Sequence, residues 1–431
     1  MVVQINSWEE LLETARRDGA VYLYGTGSIG KSVRMYLEER NALDHVAGFL
    51  VSPGHQKKHF EDLPVLYPDE VSFSERELVI VTTSGEYQIQ IRDLLQAALC
   101  RHIVLLGEIF CQEILDRFFY RRYVQASPQD YEREIEIWYE SVMGRKPDLQ
   151  NPKTFTEKIQ WLKLYDATPI KTRLADKYLV RDWVAEKIGA EHLVPLLGVW
   201  DRFEEIDFDA LPNQFALKTN HGSGYNLIVT DKSRLDLRPG GEISRQFDYW
   251  MGLNFAFVGA FELQYLNIPP KIIAEEYIGD FSRADYDYKF FCFNGVPKQI
   301  LIVSGIHTDH HQRSVFDTDW NLQDFTLLPT PHVVPPPPRP DTLEEMLRYA
   351  EILSEGFSIV RVDFYSVKGH VYFGEMTFTP LSGIFRFSRP EIDELYGSWI
   401  QLPPKSSFPV KLPLRTDDGQ KTGRRGEPVC E

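Results

Sequence analysis

The 431-residue sequence is poor in cysteine and has fewer basic than acidic residues. Its four cysteines show neither metal-ligand spacing nor a disulfide framework, which predicts a reducing compartment. With 47 Lys and Arg against 63 Asp and Glu, the formal net charge is −16. This balance argues against a general binder of nucleic-acid phosphates, although it leaves room for a local basic site.

Two further absences concern membranes and secretion. No uninterrupted apolar run approaches the length of a membrane span. The N-terminal stretch MVVQINSWEELLETARRDG is acidic and has no apolar signal core. We therefore expect a cytoplasmic protein without a transmembrane segment. No internal repeat is visible, and the length predicts two or three folded domains.

The first part of the chain alternates buried strands with helices. AVYLYGTGSIGKSVRMYLEER predicts a strand, a Gly-rich turn and a helix, and further strands follow it. This alternation is typical of a doubly wound parallel sheet, which we place at residues 1–120. We expect a helical connector at residues 121–150, a second domain at 151–410 and a disordered polar tail at 411–431.

The motif GTGSIG, with Gly25, Gly27 and Gly30, directly follows a predicted strand. This is the pattern of a dinucleotide-binding turn, whose backbone amides can approach a phosphate. The acidic residue that should hold a ribose hydroxyl after the next strand is missing, because Val51 and Ser52 stand there. We therefore expect a domain that keeps this fold, or that binds a nucleotide or sugar in a different way.

The second part of the chain contains a strand lysine followed by a flexible loop. LKTNHGSG places Lys218 on an apolar strand, just before the loop from His221 to Gly224. A Gly-rich backbone can close over phosphates, and a lysine can add a point charge. An ordinary hairpin turn is the alternative, although an apolar strand rarely contains a lysine.

Two further strands combine acidic and basic residues. KIIAEEYIG ends with Glu275 and Glu276, which could accept ribose hydroxyls or belong to a solvated strand end. DYDYKFFCFNG places Asp287 and Lys289 on one strand face. A surface ion pair is the alternative for these two residues.

An apolar hairpin at residues 359–380 is interrupted by charged residues. Side chains alternate between the two faces of a strand, so Arg361 and Asp363 lie on one face of the first strand of this hairpin. If Asp363 lies opposite Glu375, the two carboxylates repel each other unless a cation such as Mg²⁺ bridges them. The same register sets Arg361 opposite Thr377. An exposed Arg–Asp pair, or a register that separates the carboxylates, remains an alternative from the hairpin alone.

The order of these motifs is more specific than any one of them. A basic helix, a strand lysine with a Gly-rich loop, an acidic strand end, a second strand lysine and an Arg-x-Asp hairpin resemble the ATP-grasp fold. NPKTFTEKIQWLKLYD, LADKYLVRDWV, LKTNHGSG, AEEYI, DYKFFCFNG and RVDFY…YFGEMTFTP look like the blocks of its TupA-like branch, associated with teichuronopeptide and other surface-polysaccharide biosynthesis. The resemblance spans residues 151–402. The N-terminal domain looks instead like the Rossmann-like modules of sugar-modifying proteins.

The resemblance implies a fold and a role for each matching residue. The implied fold is a doubly wound, Rossmann-like N-terminal domain followed by an α+β ATP-grasp domain that holds ATP between two sheet lobes. The implied catalytic residues are Lys218, Lys289 and Arg361, and the implied Mg²⁺ ligands are Asp363 and Glu375. The implied nucleotide contacts are Lys177, Lys218, His221, Gly222, Ser223, Gly224, Glu275, Glu276, Tyr277, Ile278 and Lys289.

The implied activity is that of a carboxylate–amine ligase that uses ATP and Mg²⁺. ATP would phosphorylate a carboxylate, and an amine would displace the phosphate to form an amide. For this branch, the expected substrates are a hexuronic acid of a surface or capsular polysaccharide and an amino acid or amine. Nucleic acid is not an expected partner, whereas membrane-bound polysaccharide machinery is compatible with this activity. Thr377 departs from the Glu-x-Asn pattern of many ATP-grasp enzymes, which leaves its part in metal binding open.

An acidic glycan would need a basic groove on this acidic protein. Basic residues of the segment that follows residue 150 could supply it, and a solvated face is the alternative. They are Lys153, Lys158, Lys163, Lys171 and Arg173.

A glycosyltransferase is the main alternative function. Its usual Asp-x-Asp metal motif occurs at residues 285–287 and 317–319, both in regions that the ATP-grasp interpretation already explains. A sugar kinase and a non-catalytic nucleotide-binding module are further alternatives. The sequence keeps the Lys, Arg, Asp and Glu residues of the ATP-grasp blocks that it resembles, and this disfavours the non-catalytic module.

Overall fold

The chain divides into two compact units, Met1–Glu134 and Ile135–Glu431. The division falls inside the segment that the sequence predicts as a helical connector, residues 121–150. The predicted tail at residues 411–431 lies outside the described residues. The computed structural model describes residues 2–52, 60, 63–83, 86–278, 286–304, 312–328 and 330–406.

The first unit is built on a six-stranded sheet in which every neighbouring pair is parallel. Its elements are β1 (Val2–Ile5), α1 (Trp8–Ala15), β2 (Val21–Tyr24), α2 (Ser28–Glu39), β3 (Val46–Leu50), β4 (Val65–Leu66), β5 (Leu78–Val81), α3 (Glu86–Ala97), β6 (His102–Leu106) and α4 (Glu108–Gln125). The strand order is β1-β6-β5-β2-β3-β4. Val33 of α2 and Ile114 of α4 belong to the apolar core on one face, whereas Ile91 and Leu95 of α3 belong to a second core. The predicted doubly wound parallel sheet is confirmed.

The GTGSIG turn connects β2 to α2. Gly25 has φ +115°, a conformation that residues with a Cβ rarely adopt. A Cβ on Gly30 would lie 2.1 Å from the carbonyl oxygen of Gly25, so the helix can approach the turn only with glycine there. After β3, the Ser52 hydroxyl is hydrogen bonded to the Tyr24 hydroxyl at 2.9 Å. An acid that could hold a ribose is absent at this position, as the sequence indicates.

The second unit combines helices with two antiparallel sheets. Its elements are α5 (Tyr131–Met143, which begins just before the division), α6 (Phe155–Tyr165), α7 (Pro169–Ala175), α8 (Val180–Ile188), β7 (Leu196–Trp200), β8 (Phe215–Thr219), β9 (Asn226–Val229), α9 (Glu242–Gly252), β10 (Ile272–Glu276), β11 (Asp287–Phe293), β12 (Val296–Ser304), β13 (Gln312–Phe316), α10 (Leu343–Ser354), β14 (Ile359–Val367), β15 (His370–Thr377) and α11 (Glu391–Trp399). One sheet has the order β7-β10-β8-β9 and the other β13-β12-β11-β14-β15. Among the described helices of the chain, none is long and apolar enough to cross a membrane.

The β14–β15 hairpin has the predicted register. Asp363 lies opposite Glu375, and Arg361 lies opposite Thr377. The pairing then shifts by one residue, because Phe364 faces Phe373 and leaves Gly374 unpaired in a bulge.

Helix α6 begins where several side chains satisfy its free backbone amides. Thr154 and Glu157 form a capping box, in which each side chain accepts a hydrogen bond from the other residue's backbone. Asp393 of α11 accepts from the Thr156 backbone N–H at 2.8 Å and from the Thr156 hydroxyl at 2.7 Å. Arg145 also donates to Asp393, at 3.0 Å. This buried carboxylate therefore joins α11 to the start of α6.

We expect Asp393→Ala to lower the free energy of unfolding by about 2–4 kcal/mol, because it leaves buried donors of Thr156 without an acceptor. Asp324→Ala is the matched control, since Asp324 also accepts from an arginine, at 2.7 Å, but its side chain is 80% exposed. That control should change stability by about 0.5 kcal/mol or less. Urea unfolding followed by tryptophan fluorescence measures both, and equal losses would contradict the buried linkage.

Candidate functional site

A cavity of about 400 Å³ lies between the two sheets of the second unit. Both sheets contribute charged side chains to its wall. From the four-stranded sheet come Lys218 and Glu275, and from the five-stranded sheet come Lys289, Arg361, Asp363 and Glu375. The strands that the sequence singles out are thus brought together around one space.

The five-stranded sheet places two cations on one buried carboxylate. The Arg361 guanidinium donates to both oxygens of Asp363 at 2.7 Å, and its Nη2 also donates to Glu375 Oε1 at 2.6 Å. Lys289 Nζ donates to Asp363 Oδ2 at 2.7 Å and forms an ion pair with Asp287 at 2.9 Å. The Asp363 side chain is only 2% exposed. These contacts supply the counter-charge that a buried carboxylate needs.

Glu375 is held in its ionised form. Burial acts to raise the pKa of Glu375, but the positive charges of Lys177 and Arg361 outweigh it and hold the pKa at about 2. The Thr377 hydroxyl donates to Glu375 Oε1 at 3.2 Å. Thr377 therefore orients a predicted metal ligand.

The two facing carboxylates have the chemistry of a Mg²⁺–nucleotide site. Mg²⁺ in such sites takes one or two carboxylates and completes its coordination with water and phosphate oxygens. Within the described residues, no cluster of three or more His, Cys, Asp or Glu could hold a metal by itself. Asp363 and Glu375 would supply the one or two carboxylates that Mg²⁺ takes in such a site.

The opposite wall is organised around Glu275. Its Oε1 accepts from Arg181 at 2.9 Å and its Oε2 accepts from Lys218 at 2.7 Å. Arg181 also donates to the Val194 carbonyl at 2.8 Å. Because a cation occupies each of its oxygens, Glu275 positions Arg181 and Lys218. Glu275 also lines the cavity, so the direct nucleotide contact that the sequence predicts for it stays a prediction.

Sequence reasoning missed Arg181, although it lines the cavity. It lies four residues after Lys177, which also lines the cavity, in the block LADKYLVRDWV. Lys177 donates to the Gly222 carbonyl and lies 3.8 Å from Glu375, so it links the Gly-rich loop to a predicted metal ligand. The spacing of four within this block is the signal that could have identified Arg181.

The Gly-rich loop reaches the cavity only with its second half. Ser223 and Gly224 line the cavity, whereas the His221 ring is buried with Nε2 3.1 Å from the Trp250 carbonyl oxygen. Burial lowers the pKa of His221 to about 4, so the ring is neutral near pH 7. A Cβ on Gly222 would lie 2.7 Å from the ring of Tyr225. His221 and Gly222 thus anchor the loop, and the structure does not bring the predicted His221 side chain to the cavity.

The remaining predicted residues lie at the chain connection between the two sheets. Glu276 is the last residue of β10, and Tyr277 and Ile278 follow it. All three line the cavity, and Glu276 is exposed. Apolar side chains line the same space: Leu193, Val194, Ala216, Ile228, Ile273, Val303 and Phe373. This combination suits a flat, partly apolar ligand with polar groups at one edge.

The prediction of a basic groove is wrong for three of the five residues assigned to it. Lys163 is fully buried, where it donates to the Gly259 carbonyl at 2.9 Å and lies 4.3 Å from the Trp138 ring centroid. Lys171 is buried beside Asp166, and Lys158 donates to two backbone carbonyls of α11 and its C-terminus at 2.8 Å. These lysines stabilise the fold, so they do not offer a surface to an acidic glycan.

The two Asp-x-Asp motifs differ in their surroundings. Asp287 lies in the cavity beside Lys289, and Asp285 lies outside the described residues. Asp317 accepts from the backbone N–H groups of Asp319 and Asn321, at 3.0 and 2.8 Å, in a tight turn. The second motif thus has a local structural role.

Comparisons with known proteins identify the family of the second unit. The family model described as TupA-like ATPgrasp matches residues 157–401, more than half of the chain. No curated protein matches the chain in sequence.

Several solved structures of ligases also match. D-alanine–D-alanine ligase from Bacillus anthracis is 12% identical with a TM-score of 0.29, over 84% of this chain and 86% of that chain. The ATP-grasp ligase PsnB in complex with a minimal precursor is 11% identical with a TM-score of 0.28, over 84% and 90%. N5-carboxyaminoimidazole ribonucleotide synthetase from Thermus thermophilus is 11% identical with a TM-score of 0.27, over 83% and 71%. The family assignment rests on the family model, because these scores are low. The chain belongs to the TupA-like ATP-grasp family.

Proposed function

We propose that this chain activates a carboxylate with ATP and joins it to an amine through an acyl phosphate. One observation carries the proposal: Arg361 and Lys289 converge on Asp363 directly opposite Glu375, inside the cavity that also contains Lys218. A cluster of this kind combines cations for phosphate with carboxylates for a metal ion.

In this proposal, the cations exchange partners when the nucleotide enters. Lys289 and Arg361 are paired with Asp363, and they would turn towards the phosphates of the nucleotide. Asp363 and Glu375 would then become available to Mg²⁺, which supplies charge neutralisation to the triphosphate when bound. Lys177, Lys218, Ser223 and Gly224 would contact the phosphates from the facing wall. The ion pairs hold these groups in the cavity wall.

The chemical sequence has two displacements. An oxygen of the substrate carboxylate attacks the γ-phosphorus, the bond to the bridging oxygen breaks, and ADP leaves. The amine nitrogen then attacks the acyl carbon, the bond to the phosphate oxygen breaks, and the nitrogen loses a proton. The Arg361 guanidinium is placed to balance negative charge on the transferred phosphoryl group, because its planar fork can bind two oxygens at once.

We further propose that the carboxylate is a hexuronic acid of a surface polysaccharide and that the amine is an amino acid or a related amine. The support is the family to which residues 157–401 belong, with the association of its TupA-like branch noted above. A cytoplasmic enzyme that works beside membrane-bound polysaccharide machinery is consistent with ATP as a substrate.

The proposed metal ligands make a direct prediction. Asp363→Asn and Glu375→Gln keep the side-chain shape but remove the charge, so Mg²⁺-dependent ATP turnover should fall about 10²–10³-fold in each variant. Asp319→Asn, in the exposed turn, is the matched control and should keep full turnover. Circular dichroism of each variant confirms that the fold is retained. Full turnover in Asp363→Asn would exclude the assignment.

The acyl phosphate makes a second prediction, because an activated acid reacts with hydroxylamine. Incubation of the protein with Mg-ATP, a glucuronate- or galacturonate-containing oligosaccharide and hydroxylamine should yield a hydroxamate, with ADP released. The reaction needs no natural amine. A sugar kinase would leave a stable phosphate ester, and a glycosyltransferase would release UDP from a nucleotide sugar. No hydroxamate across several uronic acids, together with UDP release, would refute the ligase proposal.

A further inference from the structure

Tyr265 is a buried tyrosine of the second unit for which the proposed chemistry gives no role. It is the last residue of a short 3₁₀ helix, Leu263–Tyr265, between α9 and β10, and it is only 6% exposed. Its hydroxyl forms no hydrogen bond with any described residue. A buried tyrosine hydroxyl usually has a hydrogen-bond partner, so an unpaired one suggests that a ligand supplies it.

Aromatic packing holds Tyr265 beside the Gly-rich loop. The ring centroids of Tyr265 and Phe255 lie 4.9 Å apart, and Phe255 lies 5.4 Å from the ring of Tyr225, which follows the loop. A Cβ on Gly222 would lie 2.9 Å from the Phe255 ring. Phe255 therefore fills the space between the loop and Tyr265.

Hydrogen bonds join the same segment to the end of β15. Gln264 donates to the Thr379 hydroxyl at 2.7 Å, and the Thr379 hydroxyl donates to Glu262. Thr379 lies two residues after Thr377, whose hydroxyl donates to Glu375. The segment that contains Tyr265 thus connects the Gly-rich loop to the strand of a predicted metal ligand.

Charged side chains of the cavity act on the Tyr265 hydroxyl. Burial and the negative charges of Glu262 and Glu375 raise the pKa of Tyr265 well above its usual range, whereas the Arg361 charge acts in the opposite direction. The hydroxyl therefore stays protonated and can donate a hydrogen bond. It lies within electrostatic reach of the Arg361–Glu375 pair.

The order of residues along β11 and β14 indicates which substrate would meet this hydroxyl. Asp363 lies opposite Lys289, and Arg361 lies opposite Phe291, two residues further from the connection between β10 and β11. With the base at that connection and the phosphates at Lys289, the Arg361 end lies beyond the triphosphate. Phosphoryl transfer needs the attacking and leaving oxygens roughly in line, so the carboxylate must approach from the side opposite ADP. Tyr265 is placed at that end.

We propose that Tyr265 donates a hydrogen bond to the carboxylate of the acceptor substrate, beside Arg361, and thereby favours acidic over neutral sugars. This inference rests on the proposed ligase function. An ionised carboxylate only accepts hydrogen bonds, which suits a neutral hydroxyl next to a guanidinium. Glu375 Oε1 already accepts from Arg361 and Thr377, so the substrate is the better acceptor for Tyr265.

The test measures equilibrium binding to the full chain with Mg²⁺ and a non-hydrolysable ATP analogue. One ligand is a glucuronate- or galacturonate-containing oligosaccharide that yields a hydroxamate with the wild-type protein, and the other is its carboxyl-reduced, neutral counterpart. In Tyr265→Phe, the affinity for the uronate should fall about ten- to a hundredfold, as expected for the loss of a hydrogen bond to a charged group. The affinities for the neutral sugar and the ATP analogue should stay at their wild-type values.

Tyr396→Phe is the matched control, because Tyr396 is fully buried and its hydroxyl also lacks a partner among the described residues. Tyr396 packs between Phe155 and Trp399, and it should affect neither affinity. Since the Tyr265 hydroxyl has no protein partner, Tyr265→Phe should unfold at the same urea concentration as the wild type or at a higher one.

Three results would overturn the proposal, and a fourth would remove its basis. An unchanged preference for the uronate in Tyr265→Phe excludes a contact with the carboxylate. Equal losses for the uronate and the ATP analogue would place the hydroxyl on the nucleotide instead. A lower urea midpoint with wild-type affinities would show a purely structural role. If no uronate oligosaccharide yields a hydroxamate with the wild-type protein, the proposed function itself fails.

Discussion

The cavity depends on the pairing of one buried carboxylate. The Asp363 side chain is only 2% exposed, and removing an ion of this kind from water without partners would cost several kcal/mol. Arg361 binds both of its oxygens and Lys289 binds one of them. These pairs fix Arg361 and Lys289 in the wall of the cavity. In the proposed function, the same groups would bind a triphosphate, so the interaction that allows burial would also position the site.

The hairpin geometry makes that pairing possible. The register places Asp363 of β14 opposite Glu375 of β15. Arg361, two residues before Asp363 on β14, can therefore reach both carboxylates. The bulge at Gly374 pairs Phe373 with Phe364, and the centroids of the two rings lie 6.4 Å apart. On the facing wall, Glu275 accepts a hydrogen bond from Lys218, as Asp363 accepts one from Lys289. Each sheet therefore supplies cations that are held in place by its own acid.

The sequence predicted the parts of the site that follow from local periodicity. The alternation of side chains along a strand identified the face that Arg361 and Asp363 share. The order of strands and helices along the chain identified the parallel sheet of the first unit. What it could not predict depended on tertiary burial. The sequence predicted Lys163 to be a basic surface residue, but nearly all residues of α6 are buried, and Lys163 is one of them. Likewise, Arg181 of α8, which binds Glu275, and Trp250, whose carbonyl lies beside the His221 ring, are distant in sequence from the residues they contact.

The central claim is that the triphosphate takes the cations from Asp363 and leaves the carboxylates to Mg²⁺. A crystal structure of the full chain with Mg²⁺ and a non-hydrolysable ATP analogue tests it most directly. The account predicts the analogue between the two sheets, with Lys289 and Arg361 on phosphate oxygens and Mg²⁺ at about 2.0–2.1 Å from oxygens of Asp363 and Glu375. An analogue bound at the GTGSIG turn, with the Arg361–Asp363 and Lys289–Asp363 pairs intact in an empty cavity, would contradict it.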